Sequence, residues 1–420
     1  MKFQLPGLLA LVPLVLAKPS KDNLETKVQK IKSAMLASIR TSWEQGVAAD
    51  ALAELDFPEY SVYGYNETKK TAAYPLRDSA NRRFPLLVIQ FGLSAAVRQS
   101  ADGRLSQIIN GDADGAALDG ASAGLAVLIG KYIDNSYSDY LGQAAEKQLN
   151  YVRFEHSPKD IDRCHFSPCS NQRLLASILR SKAYDGVKRS LLFLGMMQFM
   201  SGEFPFIAAY GAATSNQTLL QVAYDQCRLY RDALRLPETG LWAHIYSDDR
   251  KNFDDKGLWA TGNAWAAKGM LNVAILVEKS GQNMTTQVSD LKGWVKEILN
   301  GTFTRLDSDN LVPNYMDNTG RGDNSDTFGD AAASALLAAT AYRAAHRWPA
   351  DFGKFYTDSA DKINESVMSK MTDLGLLAPI VDPLSWSVKG ILGTEAQAFG
   401  LMMYAGWKDW KHSGKVYAST

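Results

Sequence analysis

Segment after segment of this chain repeats apolar residues at three- and four-residue steps, whereas alternation with a period of two is scarce and no Asn-Gly hairpin set is present. A chain written this way must bury many one-sided helices against one another. Val28, Ile31, Met35, Ile39 and Trp43 predict one amphipathic helix over 24–55. The same periodicity predicts helices over 121–132, 141–152, 219–234, 265–277, 288–299, 331–345 and 395–410, while 56–75 reads as a loop. The connections alternate between short and long, so the helices pair as hairpins. Hairpins stacked in a ring cover each other's apolar faces and gather their long loops at one end as a cleft. The expected fold class is all-α.

No Pro/Gly/Ser linker or charge run divides the 420 residues, which predicts a single domain over 18–420. The 45 basic and 45 acidic residues cancel, so the chain offers no field for nucleic acid or an anionic membrane. Met1-Lys2, an apolar run from Leu8 to Leu16 and small residues before Lys18 predict a signal peptide over 1–17. The protein is accordingly expected outside the cell, in the medium or the cell wall, and no later run is apolar for long enough to span a bilayer. Sequons at Asn66, Asn216, Asn283, Asn300 and Asn364 agree with that route. Cys164 and Cys169 are close enough in sequence to pair, leaving Cys227 as a buried thiol in a helix. His156, His165, His346 and His412 have no ligand spacing and are expected at the surface. Neither a metal nor a cofactor is called for.

The stretch from Gly240 to Trp265 has the composition of a sugar subsite. It places His244 among Trp242, Trp259 and Trp265, follows it with an acidic loop and ends on Gly262-Asn263. Tryptophan and histidine offer flat faces to a pyranose, Asn and His donate to hydroxyls or a carboxylate, and glycine lets the backbone approach. The same tryptophans also suit a core. Asp119, where a Gly/Asp-rich loop meets a small-residue helix, reads equally as an N-cap and as a carboxylate at a cleft mouth. Asp330 reads as a cap, and Trp43-Glu44 either lines a pocket mouth or packs. Asp248-Asp249 and Asp254-Asp255 sit in a polar loop and read as solvated charges.

These residues carry a resemblance. Ser-Trp-Glu-Gln-Gly-Val (42–47), Leu-Asp-Gly-Ala-Ser-Ala-Gly (118–124), Pro-Phe-Ile-Ala-Ala-Tyr-Gly (205–211), Gly-Leu-Trp-Ala-His (240–244), Trp-Ala-Thr-Gly-Asn-Ala-Trp (259–265) and Asp-Ala-Ala-Ala-Ser-Ala-Leu-Leu (330–337) stand in order along the chain. In these the chain resembles the six-hairpin glycosidases, and among them the unsaturated rhamnogalacturonyl hydrolases of glycoside hydrolase family 105 in a secreted fungal version. The resemblance implies an (α/α)6 barrel and an oligosaccharide substrate whose terminal uronic acid carries a C4=C5 double bond. It also implies an Asp that protonates C4 and activates water toward C5. Asp119 resembles the substrate-side Asp, His244 the uronyl contact, and Trp259, Asn263 and Trp265 the subsite wall. Thr261 stands where related sequences have Arg, a natural carboxylate partner.

A larger departure lies before Pro205. Counting back from Pro205-Phe206 puts Gln198 at the family's catalytic Asp position, and an amide cannot donate that proton. The tract from about 163 to 203 is atypical throughout. Shifted by one base, codons for Gly195-Met-Met-Gln-Phe-Met200 permit Asp-Asp-Ala-Val-Tyr-Val, and those for Arg163 to Pro168 permit Asp/Glu-Ala-Ile-Ser-His-Arg. The tract therefore reads as a frameshift or mis-spliced exon hiding the Asp; a genuine insertion would leave Asp185 and Glu203 as the local carboxylates. Taken as written, Gln198 and Thr261 favour a non-catalytic carbohydrate-binding relative, and the adjacent aspartates are what an α-mannanase-like glycosidase on the same barrel would use.

Overall fold

In the computed structural model the described residues are 23–39, 42–64, 74–75, 83–106, 119–133, 136–154, 193–195, 202–247, 251–317 and 327–413. The leader over 1–17, Gln198, Asp185, Cys164, Cys169, Asn66, His156, His165, Asp248 and Asp249 fall outside them. The described helices are α1 (Leu24–Ser38), α2 (Ser42–Asp56), α3 (Leu86–Val97), α4 (Gly124–Ile133), α5 (Ser138–Phe154), α6 (Phe204–Ala213), α7 (Gln217–Leu234), α8 (Ala260–Lys279), α9 (Thr285–Phe303), α10 (Ala331–Arg347), α11 (Lys354–Lys370) and α12 (Thr394–His412). The even-numbered helices touch in the order α2, α4, α6, α8, α10, α12 and back to α2, closing a ring, and the odd-numbered helices pack outside it. This is the all-α barrel of helical hairpins that the periodicity predicts.

Layer and sequence agree. The inner helices α8 and α10 are buried along nearly their whole length and are rich in alanine, which lets neighbours approach on both sides. The outer helix α7 is one-sided, burying Leu220, Ala223, Cys227, Tyr230 and Leu234 and leaving its other face polar. Cys227 is the expected buried thiol, pushed up by burial.

The predicted helix over 24–55 is two helices. Ile39 leaves helical geometry (φ −63°, ψ 118°) and caps α1, so Trp43 and Glu44 open a new inner helix instead of lying deep in an old one. Helices α3, α6 and α11 were not expected: α3 and α6 are apolar nearly all round, whereas α11 carries a one-sided apolar stripe that was passed over. Short antiparallel pairs also form: β1 (Phe193–Gly195) with β2 (Ile245–Ser247), β2 with β3 (Asn252–Asp255), β4 (Val312–Pro313) with β5 (Gly329–Asp330), and β6 (Ile380–Asp382) with β7 (Ser385–Gly390).

The inner helices run parallel, so their N-terminal ends share one face of the ring. At the opposite, C-terminal side a buried ionic cluster ties four of them together. Glu54 of α2 accepts from Lys268 of α8 at 2.7 Å and from Arg343 Nε of α10 at 3.1 Å, and Arg343 also bonds Asp409 of α12. Tyr63 lies under both cations, 4.7 Å from Lys268 and 4.6 Å from Arg343. Asp50, Asn272 and Tyr74 line a small cavity beside it with room for about one water.

Candidate active site

At the N-terminal face, the β2–β3 hairpin builds the first corner. Its register sets Ile245 opposite Asp255, which carries the preceding His244 alongside that carboxylate. His244 Nδ1 lies 2.8 Å from Asp255 Oδ2, where Tyr315 also donates its hydroxyl at 2.8 Å. The Gly257 N–H donates to the second Asp255 oxygen at 2.9 Å. Gly257 cannot be larger, because a Cβ there would stand 2.6 Å from the Tyr315 ring. Burial alone would raise the Asp255 carboxyl, but the hydrogen bond and charge of His244, with Tyr315 and Gly257, hold it below its ordinary value. Asp255 is thus a buried partner of His244 and not the solvated charge expected from its polar loop. This commitment also removes it from any catalytic pair with Asp254.

The His244 ring is enclosed by tryptophans. Trp259 lies 4.5 Å away and Trp386 of β7 meets it edge-on at the same distance. Trp259 is fully buried, its indole donating to Asn314 at 3.0 Å, so it backs His244 and offers no free face to a sugar. Trp386, half-buried, is the wall that the sequence reading missed. The alternation Ser385-Trp-Ser-Val-Lys is the signal that could have found it.

Three expected contacts prove to be structural. Asn263 accepts from the Trp242 N–H at 2.9 Å and donates to the carbonyls of Trp242 and Trp259, both at 3.0 Å, which uses its whole side chain to clamp two backbone segments. Trp242 is fully buried in the core and presents no surface to a ligand. Thr261, also fully buried, donates to Asp330 Oδ2 at 2.9 Å. Asp330 is the expected cap, accepting from the N–H groups of Ala332 and Ala333, and it ties the β6–β7 hairpin down through Val381 N–H at 3.2 Å. Burial raises its carboxyl above the ordinary value in spite of those donors.

The third corner joins Trp43, Trp265 and a residue not anticipated, Glu395 in the first turn of α12. Trp265 donates to Glu395 Oε1 at 3.2 Å and Trp43 to Oε2 at 3.3 Å. Glu44 and Asp119 are buried nearby. Asp119 opens a 3₁₀ turn (Asp119–Ala123) ahead of α4, and Ser122 of that turn reaches the Trp43 carbonyl at 3.5 Å. Glu203 caps the start of α6 and is fully buried toward Tyr230, which pushes its carboxyl up to about 8. Its charge acts on Tyr230 of the outer helix α7, and among the described residues neither of its oxygens bonds to these corners. Of the remaining histidines, His412 is exposed as expected and His346 is half-buried in α10.

A closed ring of inner helices with their hairpin partners packed outside is the fold of the six-hairpin glycosidases. Residues 198–367 match the family model described as Glycosyl Hydrolase Family 88. A structure described as a possible member of the GH105 family from Salmonella enterica serovar Paratyphi A is 13% identical, with a TM-score of 0.65 over 96% of this chain and 98% of that one. A second such structure, from Klebsiella pneumoniae, gives 0.63 at 13% identity over 98% and 100%. An unsaturated glucuronyl hydrolase specific for heparin gives 0.53 at 12% identity over 94% and 98%. No curated protein matches. Over residues 198–367 the chain is thus similar to glycoside hydrolase family 88, and its fold is that of the GH105 and glucuronyl hydrolase structures, which supports a glycoside hydrolase; no described helix is long and apolar enough to cross a membrane.

Proposed function

We propose that this enzyme removes the terminal unsaturated uronic acid from pectin-derived oligosaccharides of the rhamnogalacturonan kind, outside the cell. The observation that carries this reading is the match of residues 198–367 to the Glycosyl Hydrolase Family 88 model, beside the buried carboxyl groups Glu395 and Asp330 at the inner-helix N-termini. An enol ether is activated by a proton on C4, and acids that stay neutral are what that step needs. The helix N-termini add a positive field that favours a uronate carboxylate. His244, oriented by Asp255, supplies a hydrogen-bonding edge between Trp386 and Trp259, and Asp119 takes the substrate-side position. The leader over 1–17 and the sequons support the extracellular setting.

The test is incubation with an unsaturated rhamnogalacturonan disaccharide and with its saturated counterpart. Ultraviolet loss of the C4=C5 chromophore with release of free sugar is expected from the first alone. Reducing-end release from saturated glycans would overturn the reading. A second reading, a non-catalytic carbohydrate binder, is favoured by Gln198 in place of the family Asp; it predicts sugar binding without chromophore loss. Sequencing the transcript separates the causes. A transcript whose frame over 195–200 reads Asp-Asp-Ala-Val-Tyr-Val supports the frameshift, whereas an mRNA encoding the tract as written sinks it and leaves the proton to the described carboxyls.

A further inference from the structure

Glu395 belongs to none of the motifs that announce the site, yet its surroundings are unusual. It is 4% exposed, and two other inner helices each aim an indole N–H at it, α2 through Trp43 and α8 through Trp265. The charged groups acting on it are both acidic, Asp330 at the mouth of α10 and Glu44 of α2. Burial pushes its carboxyl up to about 8; the indole bonds pull the other way, and the two carboxylates add to the rise. The N-terminal field of α12 favours the ionised form as well, but burial outweighs it.

An indole N–H only donates. Each tryptophan therefore occupies a lone pair of Glu395 and neither can accept its hydrogen. A neutral Glu395 consequently has one hydrogen left to give, and among the described residues nothing accepts it. Of the trio, Trp43 is half-buried, while Trp265 and Glu395 are nearly covered.

We infer that Glu395 is the proton donor of this site in the chain as written, held neutral between Trp43 and Trp265 so that its hydrogen passes to the substrate. This rests on the reading of the protein as an unsaturated uronyl hydrolase. The Glu395 proton goes to C4 and the C4=C5 electron pair forms the new C–H bond, leaving positive charge at C5 shared with the ring oxygen. Water adds its oxygen to C5 and returns a proton to the Glu395 carboxylate. The hemiketal then opens to a C5 ketone and a C1 hemiacetal, which releases the remaining sugar as an alcohol. The two indole N–H groups stay in place throughout and stabilise the carboxylate formed midway.

The test uses the full-length protein and an unsaturated uronyl disaccharide. Wild-type turnover is expected to fall as pH rises through about 8, because the donor must be protonated. Glu395→Gln keeps the shape and is expected to lose roughly a hundredfold or more in kcat with KM changed by no more than about threefold. Glu395→Asp shortens the reach, retains an acid and should recover part of the rate with a shifted alkaline limb. In the wild type, the indole N–H resonances of Trp43 and Trp265 should titrate together with that limb. An E395Q variant that folds and keeps both kcat and the pH profile defeats the assignment alone, as do indoles that do not titrate together. A wild type inactive on the unsaturated sugar at every pH defeats the proposed function and this assignment with it.

Discussion

The two ends of the inner ring both bury carboxyl groups but differ in whether cations pair with them. At the C-terminal end Glu54 is matched by Lys268 and Arg343, with Tyr63 beneath both cations. At the N-terminal end Glu395 and Asp330 receive indole, hydroxyl and backbone N–H donors, and among the described residues no cation pairs with either. The first arrangement keeps the Glu54 charge satisfied and serves the fold, although burial lifts Asp50 beside it to about 7. The second holds its carboxyls above their ordinary values, which costs stability and leaves protons to be given.

That contrast breaks most visibly at the ionic end. Removing one partner there leaves an uncompensated buried charge, so Lys268→Met or Glu54→Gln should destabilise by roughly 3–5 kcal/mol in chemical denaturation. Either variant should leave the pH dependence of turnover, measured on the folded fraction, as in the wild type.

The opposite sign is expected at the other end. The Glu395 carboxyl is raised in the fold, so the folded protein holds a proton that the unfolded chain has released between its ordinary value of 4.5 and about 8. The neutral form's advantage is full below that window and is lost as pH rises through it. Glu395→Gln removes the titration, so relative to the wild type its Tm should gain from acidic to alkaline pH. The gain is on the order of 1–4 kcal/mol, read from melting curves across the window.

Asp255 is sharpened by acid instead. Its carboxyl is lowered in the fold, so the His244 pairing contributes above the ordinary Asp range and is lost as pH falls through the lower folded value. Asp255→Asn should cost roughly 1.5–3 kcal/mol in denaturation at neutral pH and little in strong acid. It should also weaken substrate binding by releasing the His244 ring, which a KM measurement reads. The smallest effect belongs to Thr261→Val. It deletes one hydroxyl donor to Asp330, costs about 1 kcal/mol and raises the Asp330 carboxyl further.

How much of this was legible beforehand follows the same division. Helices with a clean apolar stripe, such as α7 and α9, were readable because one face meets solvent. Helix α6 is apolar nearly all round, so periodicity had nothing to mark, and the α1–α2 break was hidden because apolar spacing continues across Ile39. His244 and Trp265 stood out as residue types, but their roles depended on partners far along the chain. Glu395 meets Trp43 across 352 residues and Trp265 across 130, and no local pattern encodes such a meeting. Asp255 was mistaken for a solvated charge because its neighbours are polar; only the hairpin register turns it inward. Asn263 and Trp242 were overread, since burial and saturated hydrogen bonds are invisible in composition.

The most direct test of the whole account is the rate of C4=C5 chromophore loss from an unsaturated rhamnogalacturonan disaccharide, followed across a pH series with the wild-type protein. Turnover in mild acid that declines as pH rises through about 8 is the predicted result. Tight sugar binding with no chromophore loss at any pH would contradict it.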